Sequence, residues 1–133
     1  MAVTWEAMAI GDSCLFQVSN DNLVAAFPLD HSDDFNSRPI LLSTNPADNE
    51  YLSEHIIFSE GTVEAGDTLY LMTDALACWF LKDSEQGGKP WEIKRSSQED
   101  FERWIAKLRK DKLIRNDDVT MLRVEPLLEA ETD

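Results

Sequence analysis

Three acidic positions in this 133-residue chain stand where strand-like runs begin or end. Asp12 closes the first run in Gly11-Asp12-Ser13, Asp74 interrupts "YLMTDALACWFL", and Asp117-Asp118 opens "VTMLRVE". A carboxylate set between apolar segments is costly if it is buried and unpaired. Acids at strand ends can converge at one edge of a sheet, where their oxygens suit hard cations such as Mg²⁺ or Mn²⁺. Each position also has a plainer reading. Asp74 can cap the helix that follows it, since Asp is a preferred N-cap. Gly-Asp-Ser is an ordinary turn, and Asn-Asp-Asp an ordinary loop.

Other reactive residue types carry less. Ser13 in "GDSC" suits a serine hydrolase nucleophile, but that chemistry needs a His base, normally near the C-terminus. The histidines are His31 and His55, and none follows. Cys14 and Cys78 have no basic neighbour in sequence to activate them, so each reads as a small buried hydrophobe. They form no CxxC or Cys/His cluster that would hold zinc. His31 within "LDHSDDF" could join Asp30, Asp33 and Asp34 around a cation, but a solvated acidic loop fits the composition better. His55 reads as an ordinary sheet or surface residue. Trp79, Trp91 and Trp104 read as packing anchors, and Trp5 as cover for a sheet face.

The elements that would position the acids follow from local pattern. "TWEAMAIGD" predicts a strand ending at Gly11-Asp12. "SCLFQVSNDNLVAAFPL" predicts a hairpin turning at "SNDN". Residues 30–37 read as an acidic loop, and residues 38–60, interrupted by Pro39 and Pro46, have no secure pattern. Gly66-Asp67 predicts a turn before the β-rich run "TLYLMT". "ALACWFLK" predicts a buried helix, ended by "DSEQGGKPW". "SSQEDFERWIAKLRK" carries Ser96 or Ser97 as N-cap, first-turn acids, a stripe of Phe101, Trp104, Ile105 and Leu108, and basic residues at its end. A last strand runs to Pro126, and residues 127–133 form an acidic tail.

Composition sets the frame. Hydrophobic residues make up 43% of the chain, enough for a core, so a disordered segment is not expected. The net charge of −14 repels phosphate backbones and anionic lipid, which argues against nucleic-acid and membrane partners. The N-terminus lacks the basic and long apolar parts of a secretory signal, and no apolar run reaches the roughly 18 residues of a membrane span. A cytoplasmic protein is expected.

Taken in order, the segments "AIGDSCLFQVSNDNLV", "VEAGDTLYLMTDALACWF" and "RNDDVTMLRVE" resemble the C-terminal motifs of metal-dependent protein phosphatases of the 2C type. That pattern runs Gly-Asp-Ser before a hairpin, then Gly-Asp before an apolar strand ending in Thr/Ser-Asp-Gly, then Asp-Asn or Asp-Asp before a strand. Bacterial relatives, including phosphatases of sporulation and stress sigma-factor pathways, often end with Asp-Asp-Val/Ile-Thr. The resemblance covers most of the chain, with a phosphatase-like domain over 1–126.

It implies an α+β fold, part of an α-β-β-α sandwich with antiparallel sheets and outer helices. It implies Mn²⁺ or Mg²⁺ as cofactor, with Asp12, Asp74 and Asp117 as metal ligands, and hydrolysis of phosphoserine or phosphothreonine in a phosphoprotein substrate. The sequence departs from the pattern in three places. It has no Asp-Gly-x-x-Gly segment, it carries Ala75 where the pattern has Gly, and it carries Cys78 where some members have an acid. The resemblance therefore implies the C-terminal portion of a serine/threonine phosphatase-like protein that is incomplete as a catalyst alone. The alternative is a non-catalytic regulatory or protein-interaction module on the same scaffold. Either should pair with a partner chain, the missing half, or a second copy, because half a sandwich exposes core and strand edges.

Overall fold

The computed structural model describes residues 3–9, 11, 13–36, 56–92 and 97–127. Within them the chain is α+β, with two antiparallel sheets and two α-helices. The strands are β1 (Val3–Ala9), β2 (Cys14–Ser19), β3 (Asn22–Phe27), β4 (Ile57–Val63), β5 (Thr68–Met72) and β6 (Met121–Val124). The helices are α1 (Asp74–Glu85) and α2 (Gln98–Lys110). β1 and β4 form a two-stranded ribbon, and the larger sheet has the order β3-β2-β5-β6.

Local chemistry accounts for most of these boundaries. Ser19 pairs with Asn22 across a two-residue turn in which Asn20 and Asp21 both take positive φ, 50° and 62°. That conformation matches the twist of a hairpin and is one that Asn and Asp tolerate. The Ser97 hydroxyl accepts the Asp100 N–H at 3.2 Å, so of the two candidate serines it is Ser97 that caps α2. Ser32–Asn36, expected as loop, winds into a short 3-10 helix because Phe35 is drawn into the core and Glu85 of α1 accepts both the N–H and the hydroxyl of Ser32. α1 runs through Glu85 and stops inside "DSEQGGKPW", against Gly87 at φ +87°, one of the residues expected to break it.

Side-chain alternation across the strands sorts the layers. Cys14, Phe16 and Val18 of β2 with Tyr70 and Met72 of β5 meet Leu76, Ala77, Phe80 and Leu81 of α1 and Ile105 and Leu108 of α2 in one core. Phe80 stacks on Phe16 with ring centroids 4.5 Å apart, and Trp79 meets Trp104 edge-on at 5.4 Å. The tryptophans of the helical layer are packing anchors, as their spacing predicts. His31 is exposed, with its ring nitrogens 3.8 Å from Asp30 and 3.9 Å from Glu85. His55 lies outside the described residues.

The ribbon lies over part of the opposite face of the large sheet, where Leu71 and Leu122 stay 38% and 57% exposed. Its inward positions are Trp5, Ala7, Ala9, Ser59, Gly61 and Val63, while Glu6, Met8, Phe58 and Glu60 point outward and are exposed. A polar hub joins the two sheets. Gln17 accepts the Trp5 indole N–H at 3.1 Å and donates to the Thr62 carbonyl at 2.9 Å and to Asp67 at 3.0 Å. Asp67 also accepts the Glu64 N–H at 2.9 Å. The order of layers is thus ribbon, sheet, helices.

Gly61 is required by Trp5. A Cβ at position 61 would lie 2.5 Å from the indole, well inside contact distance. Gly61→Ala is expected to cost about 1–3 kcal/mol, as overpacking does, and to shift Trp5 fluorescence in a urea unfolding series.

Candidate functional site

The larger sheet brings the three motif-bearing segments to one of its ends. β2 begins at Cys14, which pairs with Met72 at the end of β5, and Met72 pairs with Met121 at the start of β6. Pairing runs one step further. The Thr73 N–H donates to the Thr120 carbonyl at 3.1 Å, and the Thr73 hydroxyl accepts the Thr120 N–H at 2.9 Å. The same hydroxyl donates to the Asp118 carbonyl at 3.3 Å. A cleft of about 360 Å³ opens at this end, lined by Ser13, Cys14, Thr73 and Thr120, with Leu71 and Leu122 on its floor and Ala7 and Ala9 of the ribbon above.

Thr73, not Asp74, is the N-cap of α1. Its φ and ψ of −73° and 164° are extended, but its hydroxyl is engaged by the β6 segment and makes no cap bond. Asp74 is the first helical residue, where the positive end of the helix dipole favours a carboxylate. Its side chain is mostly buried and accepts a hydrogen bond from Arg115 Nη2 at 2.5 Å. The acid between two apolar runs is therefore paired, and its partner is a residue that nothing in the local pattern singles out.

Asp117 sits in the turn that enters β6, exposed, with Oδ1 accepting the N–H of Asp118 at 2.8 Å. The backbone of this turn is held twice more. The Asp117 N–H donates to the Arg115 carbonyl at 2.9 Å, and Arg109 Nη2 donates to the Asp117 carbonyl at 2.5 Å. Asp12 lies outside the described residues. Cys78, one helical turn after Asp74, is half-buried; burial pushes its thiol pKa up, against the pull of the nearby Arg115 and Lys82 charges. It donates to the Ser32 carbonyl at 3.7 Å, which is a structural contact.

No protein-family model matches this chain, and neither a curated protein nor a solved structure matches it significantly. Among the described residues no group of three or more His, Cys, Asp or Glu is arranged to hold a metal ion. Asp74 is satisfied by a guanidinium, and one oxygen of Asp117 accepts the backbone N–H of Asp118. As they stand, these residues do not fit a divalent ion. What this end of the sheet does contain is a cleft whose lining includes neither acid, the Asp74 carboxylate paired with Arg115, and the Asp117 backbone carbonyl held by Arg109.

No helix among the described residues is long and apolar enough to cross a membrane.

Proposed function

We propose that this chain is the C-terminal portion of a metal-dependent serine/threonine phosphatase-like protein of the 2C type, incomplete as a catalyst by itself. The observation that carries the reading is that Ser13-Cys14, which follow Asp12, lie at the same end of a single antiparallel sheet as the Thr-Asp-Ala and Asp-Asp-Val-Thr segments. Antiparallel pairing alone puts the start of β2, the end of β5 and the start of β6 at one end of the sheet; what supports the reading is that the matching motifs occupy those three positions in the order the resemblance requires. The parent chemistry is hydrolysis of a phosphoserine or phosphothreonine ester, for which a divalent ion supplies the activated water. Further donors, and the cation that would bind the phosphate, must come from another segment or chain. The cytoplasm is the compartment that suits this substrate class.

Two observations favour a non-catalytic role for the chain when it acts alone. Asp74 is engaged by Arg115. The ribbon also leaves its outer face open, with Met8 and Phe58 directly opposite one another and 64% and 71% exposed. An apolar cross-strand pair in that position suits burial under a partner protein.

Mixing provides the test. The chain alone should release no phosphate from a phosphothreonine peptide with Mn²⁺. Combined with the N-terminal half of a bacterial 2C-type phosphatase carrying Asp-Gly-x-x-Gly, whose added ligands would have to displace Arg115 from Asp74, it should support Mn²⁺-dependent release that Asp117→Ala abolishes. No release from the mixture, or release that survives Asp117→Ala, would count against the reading.

A further inference from the structure

We propose that Arg115 is a built-in counter-cation that holds Asp74 in place of a divalent ion, so that Asp74 is closed to Mn²⁺ and Mg²⁺ in this chain. The inference takes from the reading above only the idea that a divalent ion is the rival of Arg115.

The geometry is that of a fixed arrangement. Arg115 lies in the segment between α2 and β6, and the turn it begins is closed by its own carbonyl, which accepts the Asp117 N–H at 2.9 Å. Arg109, on the last turn of α2, anchors the same turn by donating to the Asp117 carbonyl at 2.5 Å. With the turn that follows it pinned in this way, Arg115, its own side chain 57% exposed, reaches 41 residues back in sequence to put Nη2 2.5 Å from Asp74 Oδ2. The carboxylate side chain is only 21% exposed, so the pair is partly shielded from water at its acidic end. Such charge-assisted bonds are about twice as strong as neutral ones.

A divalent cation on the same oxygen would stand beside a guanidinium that cannot lose its proton near neutral pH. The two positive charges would repel at contact distance, in a setting less screened than bulk water. The ion can therefore occupy Asp74 only if Arg115 leaves. The supply of cations explains why this one matters. Arg38 is the only Lys or Arg in the first 81 residues. The neutralising charge for an acid at the end of β5 has to arrive through tertiary structure, from the α2–β6 segment.

The chain's charge of −14 will collect Mn²⁺ at many places, so the test needs a local readout. Amide shifts of Asp74 and Ala75 in a two-dimensional NMR spectrum, titrated with diamagnetic Mg²⁺, report an ion at close range, and calorimetry reports total Mn²⁺ binding. In the wild-type chain these two amides should not move at Mg²⁺ concentrations that already shift the exposed acidic residues. In Arg115→Gln they should shift at about tenfold lower Mg²⁺ than in the wild type, a difference of about 1.4 kcal/mol. Adding Asp74→Asn to that variant should abolish the shift.

Equal Mg²⁺-dependent shifts in wild type and Arg115→Gln would overturn the proposal. So would loss of a calorimetric Mn²⁺ site in the single variant Asp74→Asn, a result that does not depend on Arg115→Gln folding. Because every measurement is made on the isolated chain without substrate, failure here is separate from failure of phosphatase reconstitution.

Discussion

Truncating Phe80 to alanine is expected to destabilise the chain by about 3–5 kcal/mol, the range for removing a large aromatic ring from a packed core. Phe80 has no exposed surface, and it is the point where three elements meet. Its ring stacks on Phe16 of β2, tilts against Tyr70 of β5 at 5.8 Å, and lies 6.2 Å from Trp91 in the segment after α1. The surrounding aromatic rings are large and stiff, so the void left by alanine cannot close by small shifts. A loss of that size is a large part of the roughly 5–15 kcal/mol that holds an average domain folded. Urea unfolding followed by circular dichroism would show a lower midpoint with an unchanged slope. Leu127→Ala is the control, because Leu127 is 98% exposed and should move the midpoint by no more than about 0.5 kcal/mol. A Phe80→Ala midpoint as close to wild type as that of the control would mean the core is not organised around this ring.

The second large effect is expected at Asp67, which is 5% exposed at the junction between the sheets. Asp67→Ala removes the acceptor of the Gln17 side-chain amide and of the Glu64 N–H. Each buried donor left without a partner costs about 1–3 kcal/mol, and Gln17 would also loosen its hold on Trp5 and Thr62. The expected result is a loss comparable to that of the core aromatic, with the ribbon coming away from the sheet before the helical layer unfolds. Hydrogen exchange would check this, since amides of β1 and β4 should lose protection first.

Asp67 also ties stability to pH. Burial pushes its carboxyl pKa up, but the bonds from the Glu64 N–H, the Ser19 hydroxyl and the Gln17 amide together outweigh burial and hold it below the ordinary 3.8. The unfolded chain therefore binds the proton first as the pH falls. The stability this group contributes is complete above 3.8 and is lost as the pH drops through the lower, folded value. Glu85 is depressed too, chiefly by the Ser32 hydroxyl and N–H, and its contribution fades over a similar acid range. Urea midpoints should begin to fall below about pH 4.5, where the unfolded Glu85 takes up its proton, and keep falling as the pH drops past 3.8. Asp67→Asn, which cannot ionise, should show a shallower fall. An identical slope in both proteins would place the acid sensitivity elsewhere.

Much of the fold was legible residue by residue. The hairpin follows from "SNDN", because Asn and Asp accept the positive φ that a two-residue turn demands. The second helix follows from the Ser97 cap and the stripe ending at Leu108, because capping and amphipathic spacing are both local. The strand before Asp74 follows from its β-rich run, and Asp74 itself stood out as an acid that needed a partner.

What remained hidden depends on contacts between distant segments. The 3-10 turn at Ser32–Asn36 is set by Glu85, which lies 53 residues from Ser32. The hub between the sheets joins Gln17 to Asp67 across 50 residues, and neither position is marked by its neighbours. The identity of the partner of Asp74 belongs to the same class. "LIRNDD" reads as an ordinary polar loop, and only the pairing of β5 with β6 carries Arg115 to the acid. Propensity and periodicity act over a few residues along the chain. Charge pairing and burial act over a few ångströms in space, and for Asp74 the nearest cation in space was far away in sequence.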